Sequence, residues 1–327
     1  MKWHNALLLT LAAASASLGV PYIARTSVGE AASELANAPS GVANMTLELV
    51  RDDSDRSYLG FDTNIYPGDR AMDAWRRSGE YTWVGYYLLA PCHKDGSWSG
   101  KRQRLTRTGW GLAVVYVGQQ TWGQKLAPAS NRKSAAGTSK SSTSKSKTNA
   151  ASRRSARSMT RKSNTPVAKP GATCSAAFVS ADRGRRDAAD AIAKTMREGF
   201  RRGSVIFLDL ERMDVIPQRM REYYRAWTAA VIADGRYRPG IYAHTYNAKT
   251  VYADVRDVYT DAGITGDPPF WIAGSRAFDI DKAPTDVGHR FADVWQGWLD
   301  VVRTHNGVKL PIDISVASLA NPSAATD

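Results

Sequence analysis

The tightest grouping of chemically capable residues is the run Ile206-Phe207-Leu208-Asp209-Leu210-Glu211. Its apolar character is that of a strand, and a period of two puts Ile206, Leu208 and Leu210 on one face and Phe207, Asp209 and Glu211 on the other. Carboxylates that share a face push each other's ionisation apart, so that one keeps its proton near neutrality. Glycosidic cleavage needs this: one acid protonates the leaving oxygen while a second serves as nucleophile, base or electrostatic stabiliser. An isolated pair would equally fit a structural role, with both acids paired to arginines such as Arg212, or with Asp209 capping the next turn. Recurrence favours chemistry. Asp62 in Gly60-Phe61-Asp62-Thr63-Asn64, Asp293 before Trp295, and Asp313 in Pro311-Ile312-Asp313-Ile314-Ser315 also stand at apolar strand ends. Buried carboxylates are costly without partners, so these acids are expected to share a polar cleft. Tyr86, Tyr242, Tyr246, Trp271, Trp295 and Trp298 lie near the same ends and offer ring faces to a sugar, although each taken alone also reads as core. His244 is a candidate acid/base helper.

Other chemistries find little support. The five histidines are scattered, no H-E-x-x-H occurs, and Cys92 beside His93 is too local to make a metal site. A carboxylate-only Mg²⁺ or Ca²⁺ site stays open, but no metal or other cofactor is expected. No G-x-S-x-G is present to carry a serine nucleophile.

The elements that must position the acids alternate between short apolar runs and helical patterns, the signature of βαβ units. Strands are expected at Leu59–Asn64, Tyr81–Leu89, Gly111–Gln119, Val205–Glu211, Arg238–Tyr246, Pro269–Gly274, Phe291–Trp298 and Lys309–Val316. Helical spacing marks Ala71–Ser78, a helix opening near Asp182 and running through Phe200, and one with Ile216, Met220, Tyr223, Tyr224, Trp227 and Val231 on one face. Pro217 and Gly235 bracket that last helix. Eight strands in such an order predict a TIM-like (β/α) barrel, with the acids at the carboxyl ends of its strands, where barrel enzymes place their chemistry. Ser275–Arg290 and Leu299–Gly307 write weak helices, so the last βα units are expected to be distorted. An open doubly wound sheet is the alternative, weakened by the lack of G-x-G-x-x-G after the first strand.

The chain has 327 residues and a formal charge of +13, but the charge is local. Lys125–Pro170 holds twelve Lys or Arg and no Asp, Glu or aromatic residue, and without it the remainder is close to neutral. This Lys/Ser/Arg-rich stretch cannot bury enough surface to offset its ordering entropy and reads as a disordered insertion within a barrel spanning residues 45–320. It would suit an anionic envelope polymer, a membrane surface or nucleic acid, or act as a solvated spacer; a polycationic carrier of nucleic acid is the third reading, and nucleic acid is not the expected partner. Residues 1–24 read as a secretory signal peptide, with Lys2, an apolar run from Ala6 to about Val20 and small residues at Ala14–Ala16. Export to the periplasm, the envelope or the medium would place Cys92 and Cys174 in an oxidising compartment, where such a pair reads as a disulfide.

The ordered series Gly60-Phe61-Asp62, Gly85-Tyr86-Tyr87-Leu88, Gly109-Trp110-Gly111-Leu112 leading to Tyr116-Val117-Gly118-Gln119-Gln120, Asp209-Leu210-Glu211, Arg238-Pro239-Gly240-Ile241-Tyr242, and Val294-Trp295-Gln296 through Pro311-Ile312-Asp313 resembles the bacterial glycoside-hydrolase-like domain family, formerly a domain of unknown function, which is similar to the family 25 lysozymes. The resemblance runs from about Leu59 to Ser318 apart from the insertion, which is not part of the family pattern. It implies a barrel whose acids face one cleft, with Glu211 as general acid/base, Asp209 as stabilising partner, and Asp62 and Asp313 as polar surround. Tyr86, Gln119, Tyr242, His244, Trp271, Trp295 and Gln296 are then the expected substrate-binding set, and peptidoglycan the expected substrate class. The alternative is an envelope-binding barrel without turnover, attached through its polycationic segment.

Overall fold

The computed structural model describes residues 57–121 and 174–325. The expected signal peptide and the basic insertion lie outside the described residues. Eight strands close into one barrel in chain order: β1 (Tyr58–Asp62), β2 (Trp83–Tyr87), β3 (Gly111–Val117), β4 (Val205–Leu210), β5 (Arg238–His244), β6 (Phe270–Ala273), β7 (Val294–His305) and β8 (Val308–Ala317). Five helices cover it: α1 (Asp69–Arg76), α2 (Arg102–Arg107), α3 (Ala181–Arg197), α4 (Gln218–Asp234) and α5 (Thr245–Asp261).

The barrel is TIM-like through β7 and departs from that pattern at its seam. Strands β1 to β7 are parallel neighbours, whereas β8 runs antiparallel to both β7 and β1. The stretch read as a weak helix, Leu299–Gly307, is instead the outer half of β7 and the turn of a long β7–β8 hairpin. Asn306 and Gly307 both have positive φ (47° and 76°), the geometry of the two-residue turn that matches strand twist. The hairpin stands where a helix would otherwise cover the seam: Trp75 Nε1 of α1 donates to Val308 O at 3.0 Å and Asn306 Nδ2 to Ala74 O at 2.7 Å. Helix α3 is capped by Ser180, whose Oγ accepts from Arg183 N at 3.2 Å, two residues before the expected Asp182. Helix α4 follows Pro217 and ends at Gly235, where φ of 70° favours glycine.

Inside the barrel, alternation sorts the side chains as the strands require. The Trp271 ring meets Trp83, Phe207 and Tyr242 edge-on at 5.4, 5.9 and 5.5 Å between centroids. Gly60 makes room for this aromatic layer, because a Cβ there would lie 2.1 Å from the Trp83 ring. The amino end of the barrel is closed by the segment after β8. Asn321 Oδ1 accepts from Leu112 N, and the buried Ser323 Oγ accepts from Val114 N, both at 2.8 Å. Cys92 and Cys174 form the expected disulfide.

Candidate functional site

Each acid of the mouth is set by its strand. Asp62 ends β1 and pairs directly with Asp313 across the β1–β8 ladder. Asp209 ends the inward face of β4, and Glu211 follows one residue past that strand. The four carboxyls line one cavity of about 370 Å³, together with Tyr87, Cys92, His93 and Asp300. The geometry depends on Gly85, whose Cβ would lie 2.6 Å from that of Asp62.

A chain of hydrogen bonds orients Asp62. Tyr87 OH donates to Oδ1 and Gln296 Nε2 to Oδ2, both at 2.7 Å, while Tyr242 OH donates to Gln296 Oε1 at 2.7 Å. Gln120 clamps the other pair through the backbone: its Nε2 donates to Asp209 O at 2.9 Å and its Oε1 accepts from Glu211 N at 3.2 Å. Asp313 is held by the N–H of Asp300, at 2.6 Å; Asp300 sits at a positive φ of 53° in the β7 bulge.

The electrostatics follow from a low-dielectric aromatic floor and from the lack of a countercharge. Burial, with Asp313 next, pushes Asp62 up to about 7 against the bonds from Tyr87 and Gln296. Burial, then Glu211 and Asp62, hold Asp209 well above the usual carboxylate range. Glu211 is raised by burial and by Asp313, and Asp313 by burial. No arginine or lysine among the described residues forms an ion pair with these four; Arg212 turns away, 3.8 Å from Asp214 and over the Tyr246 ring. Asp209 Oδ1 is buried and has no hydrogen-bond partner. Carboxyls in this condition keep their protons toward neutrality, so the mouth can deliver a proton from one acid while a neighbour carries negative charge. Among the described residues no group of His, Cys, Asp and Glu has the arrangement of a metal site.

The other expected site residues divide. Tyr242 and Gln296 join the network just described. Trp271 lies in the aromatic layer under the mouth, and His244 caps α5, accepting from Tyr246 N at 3.0 Å. Tyr86 and Trp295 are on the outer face of the sheet, because they have the opposite parity to Tyr87 and Gln296. Tyr86 OH donates to Glu198 at 2.5 Å, and Trp295 is fully buried with Nε1 donating to Gly274 O at 2.6 Å. Gln119 is buried away from the cavity, its Oε1 accepting from Ser175 N at 2.9 Å. Asp293 is at the wrong end: it precedes β7 and accepts from Phe270 N at the start of β6. Tyr87, Gln120, His93 and Asp300 were not among the site residues expected from the sequence. Counting by two from the glycine that must face inward would have found Tyr87; the bulge that brings in Asp300 leaves no comparable mark.

The closed barrel thus gathers Asp62, Asp209 and Glu211 at the carboxyl ends of parallel strands, whereas Asp313, expected at a strand end, joins them from the middle of the antiparallel β8. The profile of the Rv2525c-like, glycoside hydrolase-like domain matches residues 73–317, and the chain belongs to that family. No curated protein matches the sequence. Among solved structures, the chain is similar to an uncharacterised protein of B. stearothermophilus, with 16% identity and a TM-score of 0.49 over 80% of this chain and 95% of that one. It is similar to the spore cortex lytic enzyme SleM of Clostridium perfringens, with 12% identity and a TM-score of 0.46 over 80% and 67%. It is also similar to the Tat-secreted protein Rv2525c of Mycobacterium tuberculosis in complex with L-tartrate, with 15% identity and a TM-score of 0.40 over 79% and 93%.

Proposed function

We propose that this barrel hydrolyses a glycosidic bond in a cell-envelope glycan, with peptidoglycan as its substrate, and that Glu211 is the general acid/base and Asp209 its stabilising partner. One observation carries the reading: Asp62, Asp209, Glu211 and Asp313 converge on a single cavity, none of them ion-paired to an arginine or lysine among the described residues, and each is raised toward neutrality by burial or by a neighbour. Glu211, just past β4, is partly exposed where Asp209 is buried, and so is the one of the two that can reach a leaving oxygen; Asp209, beside it, serves as stabiliser once its own proton has been passed on. Asp62, held by Tyr87 and Gln296, and Asp313 keep the mouth acidic and orient the pair. The choice of peptidoglycan comes from the lysozyme-like motif series in the sequence. The Cys92–Cys174 disulfide suits an exported protein.

The test is release of soluble sugar fragments from purified sacculi. Wild-type protein is expected to release them and Glu211→Gln to fall by at least about a hundredfold, the usual contribution of a general acid. Equal release by the two proteins would remove Glu211 from the chemistry. Co-sedimentation with sacculi without any release would leave a binding barrel in place of a hydrolase.

A further inference from the structure

The chemistry above leaves one group of the mouth without a task. His93 lies between β2 and α2, forms part of the wall of the carboxylate cavity and is 8% exposed. Its Nε2 is buried with no hydrogen-bond partner. The backbone beneath it is pinned: Ala90 N donates to His93 O at 2.8 Å, His93 N to Ala90 O at 3.2 Å, and Cys92 is held by its disulfide and by a bond to Val117 O at 3.2 Å. The ring packs 5.1 Å from that of Tyr87, whose hydroxyl holds Asp62.

Filling space does not explain this side chain. The imidazole meets the backbone of Asp95, but that contact leaves Nε2 unmatched, and a buried nitrogen that gives up water without gaining a partner destabilises the fold. Ionisation gives no explanation either, because burial pushes the imidazole below its ordinary value, against an opposing effect of Asp95. The neutral ring offers Nε2 as a donor in one tautomer and as an acceptor in the other. A hydroxyl is both, and pairs with either.

We infer that His93 is a substrate-positioning residue, its Nε2 taking a ring hydroxyl of the glycan bound against Asp62, Asp209 and Glu211. The inference rests on the glycan reading above. Nε2 is covered by its neighbours, so engagement requires a small turn of the ring, and the imidazole resonance reports it.

The experiment titrates a GlcNAc–MurNAc tetrasaccharide into full-length Glu211→Gln labelled with ¹⁵N-histidine and ¹³C-tyrosine, which binds without turnover. The His93 Nε2 resonance is expected to shift, while His305, packed on Trp75 outside the barrel, stays in place. In the active protein, His93→Phe is expected to raise KM for the tetrasaccharide about fivefold to tenfold, the value of one neutral hydrogen bond, with kcat within about twofold. His93→Gln, which keeps a polar end, recovers part of the loss. Thermal melting of both variants is measured alongside, and each is expected to be fully folded at the assay temperature, which separates lost affinity from lost fold. A His93 resonance that stays still while those of Tyr87 shift, or an unchanged KM, overturns the inference and leaves the glycan reading standing. If no resonance of the mouth responds, both fall together.

Discussion

Replacing Asp62 by asparagine should make the protein less sensitive to alkali, and the size of the effect follows from the site. Asp62 is 3% exposed and its carboxyl is raised from 3.8 to about 7. The native state therefore keeps a proton that the unfolded chain has already released. Its contribution to stability is full below the unfolded value and is lost as pH climbs through about 7. At about 1.4 kcal/mol per pKa unit, this one group costs the wild type about 2 to 3 kcal/mol between about pH 5 and about pH 8. Asp62→Asn removes that titration. It retains one oxygen for Tyr87 or Gln296 and strands the other donor, a loss of about 1 kcal/mol that does not depend on pH. The stability gap between variant and wild type should then widen in the variant's favour by about 2 to 3 kcal/mol across that range, or about 5 to 10 °C in Tm for a barrel of this size. Urea unfolding followed by tryptophan fluorescence at both ends of the range measures it. Parallel stability curves for the two proteins would refute the account of the mouth as a cluster of carboxyls forced to hold protons.

Three further outcomes follow from neighbouring contacts. Asp313→Asn removes a negative charge that raises Glu211, so the alkaline limb of the pH–kcat profile on sacculi should move to lower pH; a limb that stays in place would mean that another group sets it. Gln120→Leu breaks the clamp on Asp209 O and Glu211 N and should lower kcat about tenfold or more with little change in KM, since misplacing a catalytic pair weakens the transition state rather than binding. Ser323→Ala leaves the buried Val114 N–H without its acceptor; equilibrium unfolding should show a loss of about 1 to 3 kcal/mol with sacculus cleavage retained.

The acids were legible because charge in an apolar strand is conspicuous and alternation assigns its face; Asp209 and Asp62 needed nothing more. Direction along a strand is harder to read. Asp293 looks like Asp62 in sequence, yet it starts a strand where Asp62 ends one, and the error comes from placing the start of β7 three residues early. Parity errors behave in the same way: Tyr86 and Tyr87 are adjacent tyrosines of equal promise, and only the inward glycines Gly60 and Gly85 fix which one sees the cavity. The antiparallel return of β8 is invisible to hydrophobic pattern, because a buried strand reads alike in both orientations. The Asn306-Gly307 dipeptide was the available sign, a hairpin turn standing where a weak helix had been expected. Gln120 and His93 act through a buried amide and a buried ring, and nothing in a single sequence separates such groups from ordinary packing.

The disulfide and the Gln119–Ser175 bond together have an architectural consequence. They tie Cys174 and Ser175, ahead of α3, to Cys92 after β2 and Gln119 after β3, two separate loops beside the cleft. Losing either fastener would leave the other in place, so the wall of the cavity at Cys92 does not depend on a single bond.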